Sequence, residues 1–223
     1  MASLTVENYV KSIYLICARQ DGAPAATGQL AATLDVSPGT VTSMLKTLAE
    51  GQLATYTPYE GVRLTESGRA LALRVLRRHR LIELFLVETL GLPWSEVHEE
   101  AEHLEHAVSD RLIDSIDAHL GYPNADPHGD PIPRSDGTVE LTEGRRLAEC
   151  RSGESFVVAR VLDQSPEFLQ YLSDLGLQPG LRGRVESVEQ QAGTLTVILG
   201  ELQAILGRDA AEKVLVRLTE GAR

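Results

Sequence analysis

The residues of this chain best suited to chemistry are imidazoles and carboxylates set at helical spacing. In VHEEAEHLEHAVSDRL, with His98 taken as zero, Glu102 lies at roughly +40°, Glu105 at about −20° and His106 at about +80° on a helix of 100° per residue. On one continuous helix the four side chains share a single edge, beside an apolar stripe of Val97, Ala101, Leu104, Val108 and Leu112. Upstream, His79 and Glu83 stand at i and i+4 on one face of another helix, and a short connection through Pro93 brings the two helices together antiparallel. Three histidines and three glutamates without a thiolate suit a divalent cation that accepts oxygen and nitrogen ligands. Mn(II) or Fe(II) fits best, with Co(II), Ni(II), Zn(II) and Cd(II) as chemically competent substitutes. A single His-Glu pair at this spacing is ordinarily a surface ion pair; two clusters bordering a core favour metal. His103, Glu99 and Glu100 point away from this edge, and His119 and His128 have no matching partners nearby.

Charge isolates the same region. The chain has 223 residues and a formal net charge of −11, which read as a uniform property argues against a nucleic-acid partner. It is not uniform. Residues 1–80 hold 9 Lys and Arg against 6 Asp and Glu, residues 81–140 hold 2 against 14, and residues 141–223 hold 10 against 12. A mildly basic beginning can approach phosphates, while an acidic middle of net −12 repels itself and is relieved by bound cations. No apolar run approaches the roughly 20 residues of a membrane span, and Glu7 and Lys11 interrupt the beginning where a signal peptide needs an uncharged stretch. We expect a cytoplasmic protein without a membrane partner. Two cysteines, Cys17 and Cys150, are too few for a disulfide framework or a four-thiolate zinc site.

The elements that must position these residues follow from periodicity and caps. Val6 to Arg19 repeats apolar residues at helical spacing, and Asp21 and Gly22 end it. A short helix from about Gly28 to Leu34 leads through a tight turn into a second, opened by Ser37 as N-cap with Pro38 at the first position and closed by Gly51. Leu53 to Tyr56 and Val62 to Leu64 read as two strands around the turn Pro58 to Gly61. Thr65 caps a long helix to about Leu90, and Ser95 caps another running to Leu120. Gly121 to Gly144, rich in proline and glycine, reads as an extended linker. Beyond it, Phe156 to Leu162, Gly183 to Val188, Thr194 to Leu199 and Val214 to Leu218 are β-rich, with a helical patch from Pro166 to Leu175. The expected fold is mainly α with a small β domain. It comprises an N-terminal winged helix-turn-helix over residues 1–72, a helical domain over 73–140 with a Pro-rich linker from about 121, and a small β-barrel over 145–223.

The helix after Ser37 turns Val41, Met44 or Leu45, and Leu48 inward, leaving Gly39, Thr40, Thr42, Ser43 and Lys46 outward. Short hydroxyl side chains donate to phosphates and base edges, Gly39 permits close backbone approach, and Lys46 with Arg63 on the wing adds phosphate contacts. Ser37, Pro38, Gly39, Thr40, Thr42, Ser43, Lys46 and Arg63 are therefore the candidate DNA-contacting residues. Such units bind double-stranded DNA as homodimers that read two half-sites.

With both readings in place, the chain resembles the diphtheria toxin repressor family of iron- and manganese-dependent regulators. The segments LTESGRALALRVLRRHRLIELFL, VHEEAEHLEHAVSDRL and HGDPIP carry the likeness, with the winged helix before them and a C-terminal SH3-like module, similar to those of iron-transport proteins, after. The resemblance implies a homodimer whose metal-loaded form binds palindromic operator DNA and represses metal-uptake genes, with no reaction catalysed. It also implies an ancillary site of His79, Glu83 and His98, and a primary regulatory site of Glu102, Glu105 and His106 with Asn8 from the first helix. Glu7, one residue away, is an alternative to Asn8. Iron-responsive members carry cysteine where this chain has Glu102, and manganese-responsive ones carry glutamate, so Mn(II) is the leading cation and Fe(II) the alternative. Manganese regulators without the third domain use two first-helix carboxylates; here Asn8 and Lys11 stand there, so a closely spaced metal pair is not expected. Asp163 and Glu167 occupy the region from which the third domain reaches the ancillary metal in some members.

Two other classes compete. A metal-dependent hydrolase needs a substrate cleft and an open coordination position, yet the chain shows no P-loop, Ser-His arrangement or HExxH run. A metal-independent DNA-binding protein would leave the acids as a solvated face.

Overall fold

The computed structural model describes residues 4–140 and 143–219, so the outermost residues of the expected first and third domains lie outside the described residues. The chain divides into two compact units. One gathers the chain up to His79 with His103–Ser109 and Pro133–Thr138; the other holds Arg80–Glu102, Asp110–Ile132 and the chain from Val139.

In the first unit, α1 (Leu4–Arg19), α2 (Thr27–Thr33) and α3 (Pro38–Glu50) precede a hairpin of β1 (Ala54–Thr57) and β2 (Gly61–Leu64), registered Ala54 to Leu64 and Thr57 to Gly61. Tyr9, Val10 and Ile13 of α1, Leu30 of α2, Val41, Leu45 and Leu48 of α3, and Val62 of the hairpin close one core. The inward residues of α3 are those its 3.6-residue period requires. Ser37 Oγ accepts from the Thr40 amide at 3.1 Å and caps α3, and Pro38 follows at the first helical position, as expected. Thr65 Oγ1 accepts from the Gly68 amide at 3.1 Å and opens α4 (Glu66–Leu90). A Cβ on Gly68 would meet the Leu53 carbonyl oxygen at 1.8 Å, so only glycine lets α4 start against the hairpin.

The expected single helix from Ser95 to Leu120 is two: α5 (Val97–Leu104) and α6 (Asp110–His119), separated by a turn over Glu105–Ser109. The apolar stripe breaks with it. Val97 and Ala101 are buried, whereas Leu104 and Leu112 are 39 % and 49 % exposed. Glu105 and His106 therefore stand on a turn, and the angles calculated for one continuous helix do not apply to them.

The second unit carries a six-stranded antiparallel sheet in the order β3-β8-β4-β5-β6-β7, with β3 (Arg145–Arg146), β4 (Ser155–Val161), β5 (Arg182–Glu189), β6 (Thr194–Leu199), β7 (Leu202–Gly207) and β8 (Val214–Thr219). Two helices accompany it, α7 (Pro166–Asp174) and the short α8 (Arg208–Ala211). Strand β7, unanticipated from sequence, pairs with β6 across the two-residue turn Gly200-Glu201. Phe156, Leu169, Leu172, Val197 and Leu206 are central to its core, and the Trp94 indole packs there, donating to Ser173 Oγ at 2.6 Å.

The expected linker is also corrected: part of it is packed. Asp126, His128, Asp130 and Ile132 are buried, the Val161 amide donates to the His128 carbonyl at 2.8 Å, and Gln164 donates to Asp130 Oδ2 at 2.7 Å. Gly129, at φ +86°, sits where a Cβ would meet the Ala159 carbonyl oxygen at 2.2 Å. Proline and glycine here shape a docked loop instead of a solvated tether.

Candidate metal centre and nucleic-acid interface

In the first unit Glu105 is wholly buried and surrounded by nitrogen. Lys11 Nζ donates to its Oε1 at 2.7 Å, His79 Nδ1 to its Oε2 at 2.6 Å, and His106 Nε2 lies 3.1 Å from Oε1. The other nitrogen of His106, Nδ1, donates to Glu7 Oε2 at 2.7 Å. A carboxylate only accepts, so this bond places a proton on Nδ1, and the neutral ring then carries its lone pair on Nε2. That lone pair is buried without a hydrogen-bond partner and faces a carboxylate oxygen, an arrangement a cation between them satisfies. Asn8 Oδ1 is likewise buried without a partner. An orphaned ring nitrogen 3.1 Å from a buried carboxylate oxygen, with an orphaned amide oxygen on α1, fits a divalent ion with mixed oxygen and nitrogen ligands.

The position of Glu7 gives it a different part from the alternative ligand considered above: it orients the His106 ring, as carboxylates do behind metal-bound histidines. His79, which the resemblance groups with Glu83 and His98, has one ring nitrogen on Glu105.

In the second unit Glu83, 1 % exposed, is approached by His98 Nδ1 at 3.3 Å from Oε1. Glu102 lies one turn along α5 from His98, with its Oε1 3.8 Å from His98 Nε2. A histidine thought to lack partners joins this group. His128 is fully buried, stacks on Trp94 with ring centroids 5.6 Å apart, and donates from Nε2 to the Trp94 carbonyl at 2.9 Å. Its Nδ1 lone pair, without a hydrogen-bond partner, lies 3.9 Å from Glu83 Oε2 and 4.0 Å from Asp126 Oδ1. Glu83, Asp126 and His128 thus present three ligand-type atoms within 4.8 Å of one another. Burial, then the neighbouring Asp130 and Glu83 carboxylates, hold the Asp126 carboxyl well above the usual carboxylate range, against the pull of Arg80. Asp126 is two residues from His128, but Trp94 and Glu83 lie 34 and 45 positions away, so local spacing could reveal only the first of these partners.

The third-domain candidates differ. Asp163 is ion-paired to Lys213 at 2.7 Å, and the Lys213 hydrogen bond lowers its pKa. Glu167 is exposed in the first turn of α7.

On α3, Gly39, Thr40, Ser43 and Lys46 are exposed and Thr42 is half-buried, its hydroxyl donating to the Pro38 carbonyl at 2.9 Å. Arg63, exposed on β2, donates to the Gly22 carbonyl. Tyr59 is fully exposed at the hairpin tip, a large side chain that hydropathy offered no reason to single out. No helix among the described residues is long and apolar enough to cross a membrane.

Comparison with known proteins matches three successive segments of the chain. Residues 1–62 match the family model described as the N-terminal DNA binding domain of iron dependent repressors, 65–134 their metal binding and dimerisation domain, and 145–218 a FeoA domain. The chain is 34 % identical over 229 residues to the iron-dependent repressor IdeR of Mycobacterium tuberculosis, covering 95 % of this chain and 96 % of the relative. Among solved structures, a manganese-dependent transcriptional repressor in complex with manganese superposes with a TM-score of 0.82 at 41 % identity, covering 96 % of this chain and all of the other. ScaR with bound Zn2+ superposes at 0.74 and 32 % identity, covering 95 % and 98 %. On family models, sequence and fold together, the chain belongs to the diphtheria toxin repressor family of iron- and manganese-dependent regulators.

Proposed function

We propose that this chain is a transcriptional repressor that binds palindromic operator DNA as a homodimer when loaded with Mn(II), or alternatively Fe(II), and so controls metal-uptake genes from the cytoplasm. Like its family it works by binding and not by catalysis. The observation that carries the reading is the orphaned His106 Nε2, 3.1 Å from Oε1 of buried Glu105, with Asn8 Oδ1 on α1 also buried without a partner.

Asn8, Glu105 and His106 would hold the regulatory ion, with Glu102 from the end of α5 assigned to the same set. Glu83 and His98, joined by His79 and by the newly found His128 and Asp126, would hold the ancillary ion, and Asp163 and Glu167 remain the third-domain candidates. A divalent ion at the regulatory set supplies a positive charge that carboxylate, amide and imidazole can share. The chain does the rest. Asn8 lies on α1, whose Tyr9, Val10 and Ile13 share a core with Val41, Leu45 and Leu48 of α3. Fixing Asn8 against the turn that carries Glu105 and His106 therefore fixes α3. The exposed Gly39, Thr40, Ser43 and Lys46, with Ser37, Pro38, Thr42 and Arg63, are then presented to the groove in one orientation. Iron and manganese both figure in the names of the relatives, and the thiolate-free donor set favours manganese.

The test is operator binding against free Mn(II), Fe(II) and Zn(II) at fixed ionic strength, because salt alone changes such affinities. We expect metal to tighten binding by about 5- to 150-fold, the usual range for one linked equilibrium. Operator binding that ignores both metal and chelator would overturn the reading.

A further inference from the structure

We propose that Lys11 is an internal competitor for the regulatory cation, a tethered ammonium that sets the metal concentration at which this chain responds. The inference rests on the reading of Glu105 and His106 as ligands and adds a residue that no ligand set contains.

Glu105 is reached by Lys11 from 94 positions away, Nζ to Oε1 at 2.7 Å, with the two side chains 8 % and 0 % exposed. A lone buried carboxylate is costly, and the ammonium balances it without any metal. The oxygen it occupies is the one that His106 Nε2 faces at 3.1 Å. Lys11 also lies three residues after Asn8 on α1, so both project from neighbouring positions on one helix face toward the same space. The Lys11 ammonium takes up one lone pair and part of the negative charge of Glu105 Oε1, so it competes with a metal for that oxygen. Its charge also opposes any second cation nearby. The contact therefore does two things: it keeps α1 attached to the Glu105 turn in the metal-free protein, and it subtracts from the affinity of that turn for metal. A purely structural lysine would do only the first.

Mn(II) titration calorimetry and metal-free thermal melting separate the two roles, using full-length wild type, Lys11→Met, Lys11→Arg and Glu105→Gln. We expect Lys11→Met to bind Mn(II) at least about tenfold more tightly, a change worth about 1.4 kcal/mol. The Mn(II) concentration for half-maximal operator binding should fall by the same factor, and metal-free melting should come at a lower temperature. Lys11→Arg, which keeps the charge, should stay within a few-fold of wild type. Should Lys11→Met fail to fold, Lys11→Gln removes the charge with a polar side chain, and the same tightening is expected. Unchanged or weaker Mn(II) affinity in the neutral variants, with wild-type binding intact and lost in Glu105→Gln, overturns the competitor and leaves the metal centre standing. Glu105→Gln binding Mn(II) as well as wild type overturns both.

Discussion

In the first unit the buried Glu105 carboxylate meets a lysine at 2.7 Å and a histidine at 2.6 Å, whereas in the second the Asp126 and Asp130 carboxylates share Arg80 at 3.6 and 3.7 Å. Arg160 also pairs with Asp130. Both clusters end in a histidine whose second nitrogen is fixed by a hydrogen bond and whose first has no such partner: His106, held by Glu7, and His128, held by the Trp94 carbonyl. Their charge is balanced differently. In the first, Glu105 meets the Lys11 ammonium directly; the second crowds carboxylates together, and burial first, then the Asp130 and Glu83 charges, raise the pKa of Asp126. What they join also differs. The first links α1 to a turn within the DNA-binding unit, while the second ties the docked loop to β4 through the His128 carbonyl and Asp130. On the proposed reading, the first cluster switches the protein and the second holds its parts together.

Neutralising one carboxylate in each cluster gives the largest contrast. Glu105→Gln should take away the buried carboxylate that Lys11 and His79 share, cost about 3–5 kcal/mol of metal-free stability, and remove the metal response of operator binding. Glu83→Gln should retain most of that response and weaken only the total metal bound. Denaturant melts and fluorescence anisotropy at fixed salt read both, and the reverse ranking would dissolve the distinction.

Asp126→Asn sharpens it further. Because the pKa is raised, the folded chain holds this proton more tightly than the unfolded one. The stability this contributes is present below the ordinary carboxylate pKa, about 3.9, and is lost as pH rises through the raised value. Asparagine keeps the oxygen that accepts from the His128 and Asp130 amides at 2.8 and 2.9 Å while removing the charge. Metal-free Asp126→Asn should therefore lose less stability than wild type between pH 4 and 7, and parallel curves would show that the excess acid is already neutralised.

Asp163→Asn is the smallest. Its partner Lys213 is 45 % exposed and Asp163 itself 31 %, so screening limits the pair to about 0.5 kcal/mol or less. The lowered pKa places that contribution above the usual carboxylate value, to be lost as pH falls. Melting at pH 7 and pH 3 should show the gap closing in acid, and a loss of metal binding well beyond this would bring Asp163 into the second cluster.

Local spacing was a good guide where neighbours in sequence are neighbours in space. The cap Ser37-Pro38, the inward triplet of α3, the hairpin after it and the 25-residue α4 follow from short-range rules and appear as expected. Periodicity failed at Glu105, because it assumes the helix continues, and the chain instead turns after Leu104 before Asp110 reopens it. Ser109-Asp110 is the kind of pair that starts a helix and was the available warning. Glycine and proline between 121 and 144 signalled irregular backbone correctly, but composition cannot distinguish a tether from a loop seated on a strand.

By itself the amino-acid order determined the donor chemistry, oxygen and nitrogen without sulfur, together with the reading helix and the family, since these depend on residue identity and short-range repeats. Only the tertiary structure decided that Lys11 meets Glu105, that Glu7 steadies His106, and that His128 lies beside Glu83. Those pairings join residues 94, 99 and 45 positions apart. Burial makes each decisive, because an ion or lone pair removed from water must find its counterpart wherever the fold brings one.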